Sequence, residues 1–425
     1  MVQYVTLVRR AFTGTLLSVL VANCGARTGL ESPDPTVDAR AVIDAGRDAI
    51  VANDAPRDVA LDIARDVPPI RDVVDVPPVR RVVQLVSGSL HSCVRMDDAT
   101  VRCWGQYANA LASLGPVPMQ GVTDVVQLDA GFSHTCALVR GGRMRCWGQN
   151  NGGQLGNGSR VEAWPAVDVL GLSDVVSIAA GGLATCAILA DATLRCWGSN
   201  SWGQLGVGTT ADDRLTPTTV ALPGGVVAVE LGGYHSCARL AAGTVYCWGS
   251  DAYGQLGDGT RALRRPTPIL VSSLSSVAQL SFGDRHSCGL FVGGTVSCWG
   301  EDHHGQVGDG TLSDHIDSPV RVLPLADVVE ISAGTFHSCA RLRDGTVRCW
   351  GQNDNGQLGD GTTTQRTTPV AVMGLTDVAE IAAGDLHTCA RLNSGGVRCW
   401  GDDRIGQLGN GLGPDSRTPV AVMGL

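Results

Sequence analysis

Fourteen of the fifteen cysteines fall into seven pairs, each with nine residues between its members. The pairs are Cys93 and Cys103, Cys136 and Cys146, Cys186 and Cys196, Cys237 and Cys247, Cys288 and Cys298, Cys339 and Cys349, and Cys389 and Cys399. Cys24 stands alone near the N-terminus. Paired thiols at a fixed offset can bridge or can bind zinc. No C-x-x-C knuckle occurs, so zinc ligation is not expected. Seven disulfides, one within each pair, are expected instead, which places the chain in an oxidising compartment.

A second constellation accompanies the first. His91, His134, His235, His286, His337 and His387 stand two residues before the first cysteine of their units, and Ala184 takes that place in the third. Equivalent positions around a sevenfold ring lie too far apart for ligation of one ion at about 2.0–2.1 Å. The histidines are therefore expected to be structural, each bonding an adjacent loop. Loops such as Asp258-Gly259, Asp309-Gly310 and Asp360-Gly361 lack the alternating carboxylates and bidentate Glu of a calcium loop and suit tight turns. Glu230, Glu330 and Glu380 look repeat-equivalent, which makes them structural too. No nucleophile elbow, phosphate loop or H-E-x-x-H occurs. No catalytic residue, metal or cofactor is expected, and the enzymatic alternative is a cell-envelope glycan hydrolase or lyase on one face of the scaffold.

The spacing of these residues defines the elements that carry them. Successive first cysteines lie 43, 50, 51, 51, 51 and 50 residues apart, a period that signals a propeller or solenoid. The sixth unit shows four short β-type runs: Asp327–Gly334, His337–Leu342, Val347–Gly351 and Thr368–Val372. Four such runs bounded by Gly, Pro and Asp make a four-stranded blade. Arg343, Asp344 and Gly345 suit a hairpin loop with Gly345 in the left-handed region, which sets Cys339 opposite Cys349. Ala99 and Ala192 replace that glycine in units one and three, so those turns should be strained. The tryptophan after each second cysteine (Trp104, Trp147, Trp197, Trp248, Trp299, Trp350, Trp400) should pack blade against blade. Glycine is 56 of 425 residues, and charged residues are 17%, a profile that suits an all-β chain with many turns. The fold expected is a seven-bladed β-propeller of four-stranded blades. The link Gly374–Asp377 reads as too short to cross a blade. This makes the Thr-Pro-Val run the innermost strand and leaves the C-terminal strand to pair into blade one and close the ring.

Residues 1–23 read as a signal peptide, with Arg9 and Arg10 before the apolar stretch Ala11–Ala22. Residues 24–80, rich in Asp, Val, Ala and Pro, read as a disordered tether, and residues 81–425 as the propeller. The run Val21-Ala22-Asn23-Cys24-Gly25 resembles a bacterial lipoprotein signal, which implies lipidation at Cys24 and a place on the outer membrane or cell surface; plain secretion is the alternative. Net charge is −9, and without a basic cluster no nucleic acid is expected as a partner.

Gly-x-x-His-Ser/Thr-Cys-Ala-x-Leu, Gly-x-Val-x-Cys-Trp-Gly and Gly-Gln-Leu-Gly-x-Gly resemble the regulator of chromosome condensation repeat, in its bacterial form with two cysteines per repeat. Unit one departs from it, with Ala110–Gly115 in place of the Gly-Gln-Leu-Gly element and seven residues missing. The resemblance implies the propeller but not guanine-nucleotide exchange, because no unit carries an inserted hairpin and an exported chain would not meet the GTPase. The secreted beta-lactamase inhibitory proteins, similar propellers that seize a partner with the loops of one face, are the nearer parallel. The repeat varies most just before each histidine. Leu90, Leu183, Tyr234, Arg285, Phe336 and Leu386, with Phe132 one residue earlier in its unit, are the candidate partner-binding residues. The expected function is a monomeric, tethered binding scaffold for a protein or envelope glycan, touching the membrane through its N-terminal lipid alone.

Overall fold

The computed structural model describes residues 80–108, 111–411 and 413–425. They form seven four-stranded antiparallel sheets. Blade six comprises Val328–Ala333, His337–Leu342, Val347–Gly351 and Arg366–Ala371. Its hairpin forms as the turn residues dictate: Gly345 sits at φ 78°, and Gly345 N donates to Leu342 O at 3.0 Å. Ala99 and Ala192 adopt the same left-handed turn at φ 62° and 63°, so both bear the steric cost of a Cβ there.

The hairpin register sets the two cysteines of each blade face to face, and all seven expected disulfides are present. Cys339 is bridged to Cys349 across the blade-six hairpin. The same bond joins Cys93 with Cys103, Cys136 with Cys146, and Cys186 with Cys196. It also joins Cys237 with Cys247, Cys288 with Cys298, and Cys389 with Cys399. The Cα separations are 4.0–4.1 Å. Every bridge is intrablade and buried. Cys24 lies outside the described residues, as do the signal peptide and nearly all of the tether.

The order of strands differs from the sequence expectation. In every blade the strand before the histidine is innermost and the Thr-Pro-Val strand is outermost. The C-terminal strand Ser416–Ala421 pairs with Val397–Gly401 of its own blade, not with blade one. Blade one has its own fourth strand, Leu111–Pro118. The expectation failed on reach. Between Ala371 and Val378 the chain can span about 24 Å, whereas three interstrand spacings amount to only about 14 Å. A short link therefore crosses a whole blade.

The ring is closed by side chains and single hydrogen bonds. Glu380 Oε2 of blade seven accepts from Leu85 N of blade one at 3.0 Å. Trp104 Nε1 of blade one donates to Gln407 O at 2.9 Å. Val82, Leu85, Val94 and Trp104 share one core with Cys389, Val397 and Leu408. Each other seam has a core of the same composition, with a buried tryptophan in it. The disulfides belong to these cores: Cys146 packs with Trp197, Cys196 with Trp248, Cys247 with Trp299 and Cys298 with Trp350. Among the described residues no helix is long and apolar enough to cross a membrane.

Candidate functional site

The seams are built from the repeat motif itself. Six of the seven tryptophans donate their indole N–H to the Gln carbonyl of the preceding blade, at 2.8–3.0 Å. In blades three to seven that carbonyl also accepts from a Ser or Thr hydroxyl, for example Ser338 to Gln306 at 3.0 Å. A hydroxyl whose proton is already donated must act as acceptor for its other neighbour. That neighbour is the histidine of the blade before: His286 Nε2 to Ser338 Oγ at 2.9 Å, and His337 Nε2 to Thr388 Oγ1 at 2.8 Å. His134, His235, His286 and His337 are thus Nε2–H tautomers, and all six histidines are fully buried with Nδ1 left without a partner. Burial drives their pKa down, for His337 to about 3, so they stay neutral. A Cβ at Gly334 would lie 2.3 Å from His337 Cε1, which explains the glycine before each histidine. The expected structural role holds, but the partner is the next blade's strand rather than a loop.

Trp147 is the exception. Its Nε1 is buried with no hydrogen-bond partner, and the acceptor it needs belongs to the Gly-Gln-Leu-Gly element that unit one lacks. The ring pair Tyr107–Trp164, 4.8 Å between centroids, packs beside this seam.

The inner-strand turns and the Gly-Gln-Leu-Gly loops lie at one end of the propeller. All seven candidate residues are half-buried there. Their backbone does the capping: Tyr234 O accepts from Ser250 N at 2.9 Å and Phe336 O from Gln352 N at 2.9 Å. The side chains meet neighbours across seams. Tyr234 packs on Phe132 at 6.4 Å and on Trp202 at 5.9 Å. Arg285 lies 5.2 Å from the Tyr253 ring centre and donates to its hydroxyl at 3.2 Å. Phe336 stacks near His304 at 5.3 Å. Glu301 accepts from His303 Nδ1 at 3.0 Å and lies 3.9 Å from Arg285. Leu90, Leu183 and Leu386 belong to no such cluster.

The inner strands enclose an axial cavity of about 210 Å³. Glu330 lines it, paired to Arg341 at 2.6 Å, and Glu380 pairs likewise with Arg391 at 2.8 Å. Glu230 is not their equivalent. It faces Cys237 across the sheet, whereas Glu330 faces Arg341, so it sits two positions along and has no arginine. Burial and the neighbouring Asp129 hold its carboxyl well above the usual range. Among the described residues no group of His, Cys, Asp and Glu is placed to hold a metal ion.

Residues 161–425 match the RCC1-like domain, and residues 82–109 and 125–154 match the regulator of chromosome condensation (RCC1) repeat. The chain belongs to the RCC1-like family. It is 34% identical over 142 residues to the human probable E3 ubiquitin-protein ligase HERC4, a stretch covering 33% of this chain and 13% of that one. It is 34% identical over 157 residues to the ultraviolet-B receptor UVR8 of Arabidopsis thaliana, 36% of each chain. The chain thus matches only a minor part of the length of these curated relatives. Yeast RCC1 (Prp20) in complex with Kap60 superposes with a TM-score of 0.68 at 20% identity, covering 81% of this chain and 84% of that one. Human WBSCR16 superposes at 0.65 with 21% identity, covering 73% and 85%. At these identities the superpositions show the fold.

In this RCC1-like propeller the sequence located one half of the rim and missed the other. Trp202, Tyr253 and His304 each precede a Gly-Gln-Leu/Val-Gly element, and His303 stands beside them. The signal was available, since the residue before that element is as variable as the one before the histidine: Gly152, Trp202, Tyr253, His304, Asn355, Ile405.

Proposed function

We propose that this RCC1-like propeller is an exported binding scaffold, tethered through Cys24 to a bacterial outer membrane or cell surface, that holds a macromolecule on its rim face. The observation that carries this reading is the chain of seam-bridging contacts from Phe132 through Tyr234 and Trp202, with Tyr253–Arg285 and His304–Phe336 beside it. Aromatic and arginine side chains dominate interface energies, and half-buried rings locked by neighbours lose little entropy on binding. Two further features support it. Seven buried disulfides suit an oxidising compartment. The first strand begins beside the cysteine hairpins, where Asp97 N donates to Arg81 O, so the chain enters at the end opposite the rim.

The test is capture from cell-envelope extract by the immobilised full chain. Tyr234→Ala with Phe336→Ala should weaken retention by about 2 kcal/mol or more while thermal stability is preserved. Retention unaffected by the double change would place the site elsewhere.

A further inference from the structure

The axial cavity carries a charge imbalance that the fold does not resolve. Asp129, Glu230, Asp284, Glu330 and Asp385 line it, and no arginine or histidine does. Glu330 has Arg341 behind it, and Asp284 has Arg285 at 3.6 Å. Asp129 is met only by the N–H groups of Ala130 and Ala180 at 2.9 Å. Glu230 meets no donor or cation, only the field of Asp129. Asp284 is 9% exposed, and its Oδ1 has no hydrogen-bond partner. Space is reserved for that carboxylate, since a Cβ on Gly233 would lie 2.0 Å from the same oxygen.

Unpaired carboxylates in a confined site escape their desolvation cost by taking up protons. Asp129 is accordingly pushed up to about 7, and Glu230 well above its usual range. A cation inside the cavity would offset the same cost. The lining also says which kind. Phe132, whose ring packs edge-on against Tyr234, and Phe282, whose ring packs against His235, are among the lining residues, and aromatic rings attract ammonium groups. A metal ion needs converging oxygen or nitrogen ligands, and no such group is placed for one among the described residues. The volume of about 210 Å³ equals roughly seven waters of liquid, room for a short alkyl chain with its ammonium head. The chain itself contains no lysine.

We propose that the axial cavity is a binding site for an alkylammonium cation entering from the rim face, with Asp129 and Glu230 as its counter-ions. The cation can belong to a free amine or to a lysine side chain of a partner. The site does not depend on the rim holding a macromolecule.

Isothermal titration of the full chain with 1,5-diaminopentane at pH 7.5 tests this, with N-acetyl-lysine amide as a second probe. Saturable binding of the diamine is expected, with heats that vary with the buffer because Asp129 and Glu230 release protons as they ionise. Glu230→Gln should weaken binding tenfold or more and raise the melting temperature at pH 8, a combination that loss of a structural contact does not produce. Tyr234→Ala with Phe336→Ala should leave diamine affinity unchanged, which separates this site from the rim. Comparable binding of the lysine amide identifies a lysine-bearing partner as the source, and binding of the diamine alone identifies a free amine. No saturable binding of either probe, unchanged affinity in Glu230→Gln, or displacement by equimolar calcium chloride overturns the proposal.

Discussion

Trp350 Nε1 of blade six donates to Gln306 O of blade five at 2.9 Å, and that carbonyl also accepts from Ser338 Oγ at 3.0 Å. One peptide carbonyl thereby ties a core tryptophan and a strand hydroxyl to the neighbouring blade. Six seams have the indole bond, and the seam between blades one and two does not, because Trp147 Nε1 is buried without an acceptor.

Replacement of the two tryptophans should therefore differ. Trp350→Phe removes a bond and part of a packed ring. Trp147→Phe removes a ring of the same size together with a donor whose burial already costs about 1–3 kcal/mol. Trp350→Phe is expected to destabilise by at least about 1 kcal/mol more than Trp147→Phe, read from urea midpoints. Equal losses would mean that Trp147 has a partner.

The buried histidines set the acid limit. Their folded pKa values lie near 3, or near 4 for His387, against 6.5 for the free side chain. Unfolded chains bind protons below pH 6.5 that the folded ring refuses, so this contribution is full above pH 6.5 and is lost as pH falls toward 3. His337→Gln, whose amide can still donate to Thr388, should flatten the fall in melting temperature between pH 7 and 4.5. Parallel curves for variant and wild type would contradict the neutral-histidine assignment.

Asp129 acts with the opposite sign. Its folded pKa of about 7 exceeds the model-peptide value of 3.8, so the folded state holds a proton that the unfolded state has released. That contribution is present at low pH and is lost as pH rises from about 4 through 7. Asp129→Asn should stabilise the protein at pH 8 and make little difference at pH 4. Destabilisation at both pH values would show that the two backbone N–H contacts to Asp129 outweigh its charge.

Truncation separates the observed closure from a strand exchange. Deleting residues 416–425 removes the outer strand of blade seven and bares the edge of Val397–Gly401. Early protease cuts are expected in unit seven, with Val82–Ser87 still protected by its pairing to His91–Met96. Early cleavage within Val82–Ser87 would indicate that the C-terminal strand covers blade one.

Local chemistry made most of the fold legible. The nine-residue cysteine interval, the turn at Gly345 and the tryptophan after each second cysteine carried the hairpin, its bridge and the blade seam. The strand order was misread because reach was judged from the residue count of a link without comparing it with the width of a blade. Glu230 was misassigned because Glu230 and Glu330 look alike in sequence, while pairing opposite Cys237 or Arg341 decides whether a carboxylate has a cation. The rim was half legible. Turn tips announced themselves beside the histidines, but Trp202 and Tyr253 reach the same face from loops that only the ring geometry brings alongside.

The central claim is that the rim face holds a partner, and site-specific photocrosslinking in intact cell envelopes tests it most directly. A photoreactive phenylalanine derivative is placed at Tyr234 on the rim, and in a second protein at Val292, which is 75% exposed at a hairpin tip on the opposite end. A discrete adduct of higher mass from position 234 and none from position 292 is the predicted result. Adducts from position 292 with none from position 234 would contradict it.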